Sequence, residues 1–92
     1  MLVSAIEVCE VYKVMRRDLS EERAIEAVAA LRRALIVPVD EPLALEAADV
    51  SLAHGLAMAY ALVYATARRH GARVVTADAD FRGLPGAVVI DV

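Results

Sequence analysis

The stretch Arg73-Val74-Val75-Thr76-Ala77-Asp78-Ala79-Asp80-Phe81-Arg82 reads as a short buried strand that stops abruptly at two carboxylates. Val74 and Val75 are β-branched, and Gly71 upstream ends a helix. An apolar run between turn signals fits a covered strand of the parallel type. In open α/β sheets, functional groups gather at the carboxyl ends of strands. Asp78 and Asp80 occupy such an end. Carboxylates there suit a hard cation such as Mg2+, which prefers oxygen ligands and keeps several waters. They equally suit a cap on the following turn, because Asp competes well for nearby backbone N–H groups. By spacing alone, capping is the better reading.

Working outward, 92 residues make one domain. The chain is 60% hydrophobic, yet it has one Phe, three Tyr and no Trp. A core of Ala, Val and Leu suits helices packed closely on a sheet. The net charge is -3, which does not advertise nucleic-acid binding. Arg16-Arg17, Arg32-Arg33 and Arg68-Arg69 each fall in or near the last turn of an expected helix, where cations complement the helix dipole. A phosphate-binding role for one of these pairs is the alternative. Cys9 is the single cysteine and is expected to pack against a neighbouring helix. No internal disulfide can form, and no signal peptide is evident, so the expected compartment is the cytoplasm. The nearly uncharged run Leu56 to Ala67 is shorter than the about 20 residues a bilayer needs.

Upstream, Leu2 to Ile6 is apolar enough for a very short strand, and Ser4 with Glu7 forms the Ser-x-x-Glu pattern of a capping box. A helix should run to about Arg17, with Val8, Val11, Tyr12, Val14 and Met15 on one side. Glu10 lies at the border of that side, and helix geometry makes it a surface partner of Lys13. Ser20 caps a second helix reaching about Leu35, with Ile25, Val28, Leu31 and Leu35 as its stripe. Ile36 to Val39 is a strand that Pro38 confines to a sheet edge. Asp40-Glu41-Pro42 starts a third helix, ended by Gly55. A fourth, apolar nearly all round, runs from about Ala57 to His70. His54 and His70 sit in last turns and read as dipole partners rather than metal ligands. Gly83 to Gly86 is a turn, and Ala87 to Val92 a final strand. Helix pairs between strands argue for a parallel sheet flanked by helices.

Three segments in this order resemble the PIN domain, the fold of VapC-type toxin ribonucleases in toxin–antitoxin pairs. They are Ser4-Ala5-Ile6-Glu7-Val8-Cys9-Glu10, the helix His54-Gly55-Leu56-Ala57-Met58-Ala59 with its continuation, and Val75-Thr76-Ala77-Asp78-Ala79-Asp80-Phe81. The resemblance covers nearly the whole chain. It implies a three-layer α/β fold with a mostly parallel sheet, and RNA cleavage with Mg2+ or Mn2+ held by four acids. The cation would lower the pKa of a bound water and stabilise charge on phosphate oxygens. Carried over, Glu10 and Asp78 are metal ligands, Asp80 an auxiliary acid, and Ser4 and Thr76 supporting residues. Two departures accompany it. The family's first acid ends a strand before the Ser-containing segment, whereas this chain begins just ahead of that segment. A truncated domain lacking its first central strand is therefore expected. The family's Leu-x-x-x-Asp-Ala pattern reads Leu56-Ala57-Met58-Ala59-Tyr60-Ala61, with Tyr60 in the place of the acid. A phenol, with an ordinary pKa near ~10, is a poor Mg2+ ligand.

The expected function is thus a ribonuclease-like PIN domain with weak or no activity. The rival is a non-catalytic module that binds an antitoxin-like protein or a second copy of itself. RNA is a partner only if activity survives, and no membrane is expected. A phosphotransferase of the haloacid-dehalogenase type, using Asp78-x-Asp80, normally carries that pair after its first strand. Here the pair comes near the C-terminus, which weighs against it.

Overall fold

The computed structural model describes residues 1–76 and 78–90. Ala77 of the Thr76–Asp78 junction, and Asp91 and Val92 of the expected last strand, lie outside the described residues. The order of elements is β1 (Leu2–Ser4), α1 (Ala5–Asp18), α2 (Glu21–Leu31), β2 (Leu35–Val37), α3 (Glu41–His54), α4 (Met58–Arg69), β3 (Val74–Thr76), a 3-10 turn (Ala79–Phe81) and β4 (Ala87–Val89). The fold is α/β, with four α-helices and short parallel strands. It divides into two compact units, Met1–Val39 and Asp40–Val92.

In the first unit β1 and β2 pair in parallel, Val3 opposite Ile36. Ser4 ends β1 and caps α1: its hydroxyl accepts from the Ile6 N–H at 3.4 Å, and the Ser4 N–H reaches Glu7 Oε1 at 3.4 Å. This is the expected capping box, formed in full. Ser20 caps α2 by accepting from the Arg23 N–H at 3.1 Å. The packing of α2 differs from expectation. Ile25 is 56% exposed, and Leu35 belongs to β2 rather than to the helix. The inward side is Ala24, Ala27, Val28 and Leu31. This i, i+3, i+4, i+7 stripe lets α2 approach α1 closely through alanine. Cys9 is exposed on α1 rather than part of the helix packing. Val14 is also largely outside the α1 packing side. Pro38 falls just after β2, so it costs the ladder no hydrogen bond.

In the second unit Asp40 caps α3 through the Leu43 N–H at 2.9 Å, with Pro42 in the first turn. Gly55 closes α3 in the left-handed conformation, φ 66°, which a residue with a Cβ adopts only at a cost. The chain bends by 113° into α4. Ser51 steadies the bend by donating to the Leu56 carbonyl at 2.6 Å. Leu43 and Ala47 of α3 are buried, as are Ala61, Leu62, Tyr64, Ala65, Thr66 and Ala67 of α4. Arg69 near the end of α4 reaches back to Asp40 at 3.2 Å and Glu46 at 3.0 Å. His54 ends α3 and His70 caps α4, its Nδ1 3.0 Å from the Thr66 carbonyl oxygen.

The strands β3 and β4 pair in parallel, Val75 opposite Val88. The expected full cover of β3 is only half met. Val74 is buried, but Val75 is 66% exposed and Val88 lies beside it, because successive side chains leave a strand on opposite faces. The Tyr64 hydroxyl donates to the Pro85 carbonyl and ties the β3–β4 connection to α4. Among the described residues each unit thus holds one parallel pair of strands, β1–β2 in the first and β3–β4 in the second. Among the described residues no single helix is long and apolar enough to cross a membrane.

Candidate functional site

The carboxyl end of β3 is built from short-range hydrogen bonds. Asp78 donates its N–H to Thr76 Oγ1 at 3.1 Å. Its own carboxylate accepts from the Asp80 N–H at 2.9 Å and caps the 3-10 turn. The capping role read from spacing is therefore present. It is not the whole of what Asp78 does.

The Tyr60 side chain, from the first turn of α4, acts on Asp78 through a hydrogen bond that lowers its carboxyl. That hydrogen bond is the leading reason that the Asp78 carboxyl is held below its ordinary value of 3.8, followed by the Asp80 N–H. Partial desolvation opposes both. The Tyr60 ring packs on Phe81, with centroids 5.3 Å apart and planes tilted by 51°. Phe81 is 3% exposed and ends the turn that Asp78 begins. The ring thus finds its partner in the turn rather than on its own helix. Asp80 is exposed at the outer side of the turn.

The first unit holds the other candidates. Glu10 is half-buried on α1. The expected ion pair of Glu10 with Lys13 is not formed, and Arg17 pairs with its neighbour Asp18 at 2.7 Å. What shares the helix side with Glu10 is Glu7, three residues before it. Burial foremost raises the Glu7 carboxyl above its ordinary value of 4.5. The Glu10 charge adds to this, and the Ser4 N–H opposes it. Sequence reading treated Glu7 only as a capping acid. The i, i+3 spacing to Glu10 was the signal that it also belongs to an acidic pair. Ser4 is buried at the start of that helix.

Among the described residues no group of three or more His, Cys, Asp or Glu side chains is gathered to hold a metal ion. At the end of β3 the carboxylates among the described residues are those of Asp78 and the exposed Asp80. The Asp78 carboxylate accepts from the Asp80 N–H and has further lone pairs to offer.

Residues 1–87 match the PIN domain family model. The fold is similar to a solved chain described as a toxin–antitoxin complex from Klebsiella pneumoniae, with a TM-score of 0.83 and 24% identity, covering 99% of this chain and 75% of that one. At that identity the likeness concerns the fold. A comparison with curated proteins found no match. The family match spans both units, from the capping box of α1 through the Asp78 turn, and the chain belongs to the PIN domain family.

Proposed function

We propose that this PIN domain descends from metal-dependent ribonuclease toxins of the VapC type and cleaves RNA weakly or not at all. The observation that carries the reading is Tyr60: it stands where the family pattern has an acid, and it holds the Asp78 carboxyl below its ordinary value. Glu10, Asp78 and Asp80 are then what remains of an acidic set, with Ser4 and Thr76 in support. The test is RNA cleavage by the purified chain with Mg2+ or Mn2+. Trace or no cleavage is expected. Robust cleavage that Asp78→Ala abolishes would return the chain to the active toxins.

A second reading has the domain act through protein contacts, with a second copy or an antitoxin-like partner. The feature that favours it is the exposed apolar surface of the second unit, where Leu52 is 86%, Met58 73% and Leu45 62% exposed. The toxin–antitoxin description of the similar solved chain points the same way.

A further inference from the structure

We propose that Arg68, laid over Gly86, and Arg73 beside it form a binding site for a phosphate monoester, at the opposite end of β3 from Asp78. The site is separate from the acidic residues and does not depend on RNA cleavage.

The neighbouring arginines that end α4 have different fates. The Arg69 fork is taken up by Asp40 and Glu46. Arg68 has no ion pair or side-chain hydrogen bond among the described residues. Yet its side chain is placed. A methyl group added at Gly86 would lie 2.6 Å from Arg68 Nη1 and 3.5 Å from Arg68 Cδ. Gly86, with φ 78°, leaves the room that the guanidinium takes. The turn beneath is fixed. Tyr64, one turn before Arg68 on the same side of α4, donates to the Pro85 carbonyl. Each carbonyl of that turn is already engaged: Leu84 accepts from the Ala87 N–H at 3.1 Å, Pro85 from Tyr64, and Gly86 from the Val74 N–H at 2.9 Å. A guanidinium only donates, so the donors of Arg68 are left for an acceptor brought from solvent. The Val74–Gly86 bond also sets Arg73, the residue before Val74, next to the same glycine. Arg73 is exposed and likewise unpaired among the described residues. No Asp or Glu occurs between Asp49 and Asp78, so no carboxylate close in sequence neutralises the two. The dipole of α4 accounts for a cation in its last turn, but not for one held over a glycine without a carboxylate. A planar fork matches the oxygens of a phosphate group. Two guanidinium charges suit a monoester, with about −1.5 to −2 charge at pH 7, better than a single carboxylate.

Calorimetry and thermal melts on the full chain test this, with inorganic phosphate as the probe and NaCl at matched ionic strength as the reference. Wild type should bind phosphate and melt higher in it than in the matched salt. Arg68→Ala should weaken binding at least about tenfold, as expected when a hydrogen bond to a charged group is lost. Arg68→Lys should recover only part of that, because an ammonium lacks the fork. Arg73→Ala should weaken binding too. Arg69→Ala removes the same charge from the same turn and should leave phosphate affinity unchanged. AMP against adenosine, and a 5′-phosphorylated oligoribonucleotide against its 5′-hydroxyl form, tell the sources apart. Equal affinity for AMP and the phosphorylated oligonucleotide assigns a free monoester. Tighter binding of the oligonucleotide that needs its 5′-phosphate assigns an RNA end. Three results would each overturn the proposal. One is no effect of phosphate beyond that of matched salt. Another is Arg69→Ala weakening phosphate as much as Arg68→Ala, the mark of bulk charge. The third is an oligo-glutamate peptide, or the 5′-hydroxyl oligonucleotide, bound where AMP is not. Arg68 and Arg73 are exposed, so their variants should keep the wild-type circular dichroism spectrum. If Arg68→Ala folds poorly, Arg68→Lys and Arg73→Ala carry the same test.

Discussion

The Tyr60 ring rests on Phe81, at the far end of the turn that Asp78 caps, and the Tyr60 side chain holds the Asp78 carboxyl below its ordinary value. One side chain from α4 thus fixes both ends of the turn. This is a tertiary contact made by a residue that the family pattern gives as an acid.

The acid stability of the domain should report that bond. Asp78 is held below 3.8, first by the Tyr60 hydroxyl and then by the Asp80 N–H. For a depressed carboxyl, the stabilisation is fully present above the unfolded-state value and is lost as pH falls through the folded value. Tyr60→Phe removes the larger cause. The Tm gap between wild type and Tyr60→Phe should therefore be widest from about pH 5 upward and close in stronger acid. Melting curves across that range check it. A gap that stays constant into strong acid would assign the Tyr60 contribution to packing alone.

The cap of α1 makes a second prediction, with the opposite sign at Glu7. Its folded-state value is raised above 4.5, so the folded state holds the proton more tightly than the unfolded chain. Stability on that account falls as pH rises from the ordinary Glu value through the raised one. Glu7→Gln keeps an acceptor for the Ser4 N–H and removes the buried charge. It should match or exceed wild-type stability near neutral pH, and lose that advantage in acid. Ser4→Ala has no such compensation. It should cost about 1 kcal/mol at any pH, the usual cost of a lost cap. Chemical unfolding of both variants at neutral and acid pH separates the two effects.

These caps show where the sequence was legible. Ser4-x-x-Glu7, Asp40 before Pro42, and Gly55 after α3 are local chemistry, decided by residues within one turn, and each appears in the structure. Local chemistry also let Asp78 be read as a cap. What stayed hidden was decided at a distance. The α2 stripe was assigned to Ile25 by size, yet the partner helix selects the small face containing Ala24. Val74 and Val75 look alike in sequence, but pairing with β4 covers one and leaves the other exposed. Nothing in the composition says that Phe81, and not Tyr64, receives the Tyr60 ring.

Arg69 gives a third prediction. Its guanidinium bridges Asp40 at the start of α3 and Glu46 further along the same helix, with 27% of the side chain exposed. A planar fork can serve two carboxylates at once, whereas an ammonium is a single point charge. Arg69→Ala should lower Tm, and Arg69→Lys should recover only part of the loss. The loss should also shrink in about 1 M salt, where the screening length falls to ~3 Å. If Arg69→Lys melts like wild type, the fork geometry does not matter and a single charge suffices.

The last prediction concerns the outer side of α3. Most surface helices have one apolar side, but α3 has two. Leu43 and Ala47 are buried, while Leu45 and Leu52 are 62% and 86% exposed. Leu45, Ala48 and Leu52 follow the i, i+3, i+7 spacing of a helix–helix seam. Met58, 73% exposed at the start of α4, adds to the same unit's apolar surface. Water-exposed leucines at seam spacing are stabilised by a second helix, and self-association in solution most often takes two-fold form. The chain should therefore be a dimer at micromolar concentration by light scattering after gel filtration. Leu45→Lys with Leu52→Lys should make it monomeric, because two ammonium groups on each side of a two-fold seam cannot be buried together. Both residues are exposed within the protomer, so the monomeric variant should keep the wild-type circular dichroism spectrum. A wild-type monomer that unfolds cooperatively would remove the argument for association, and a dimer unaffected by both lysines would move the interface away from α3.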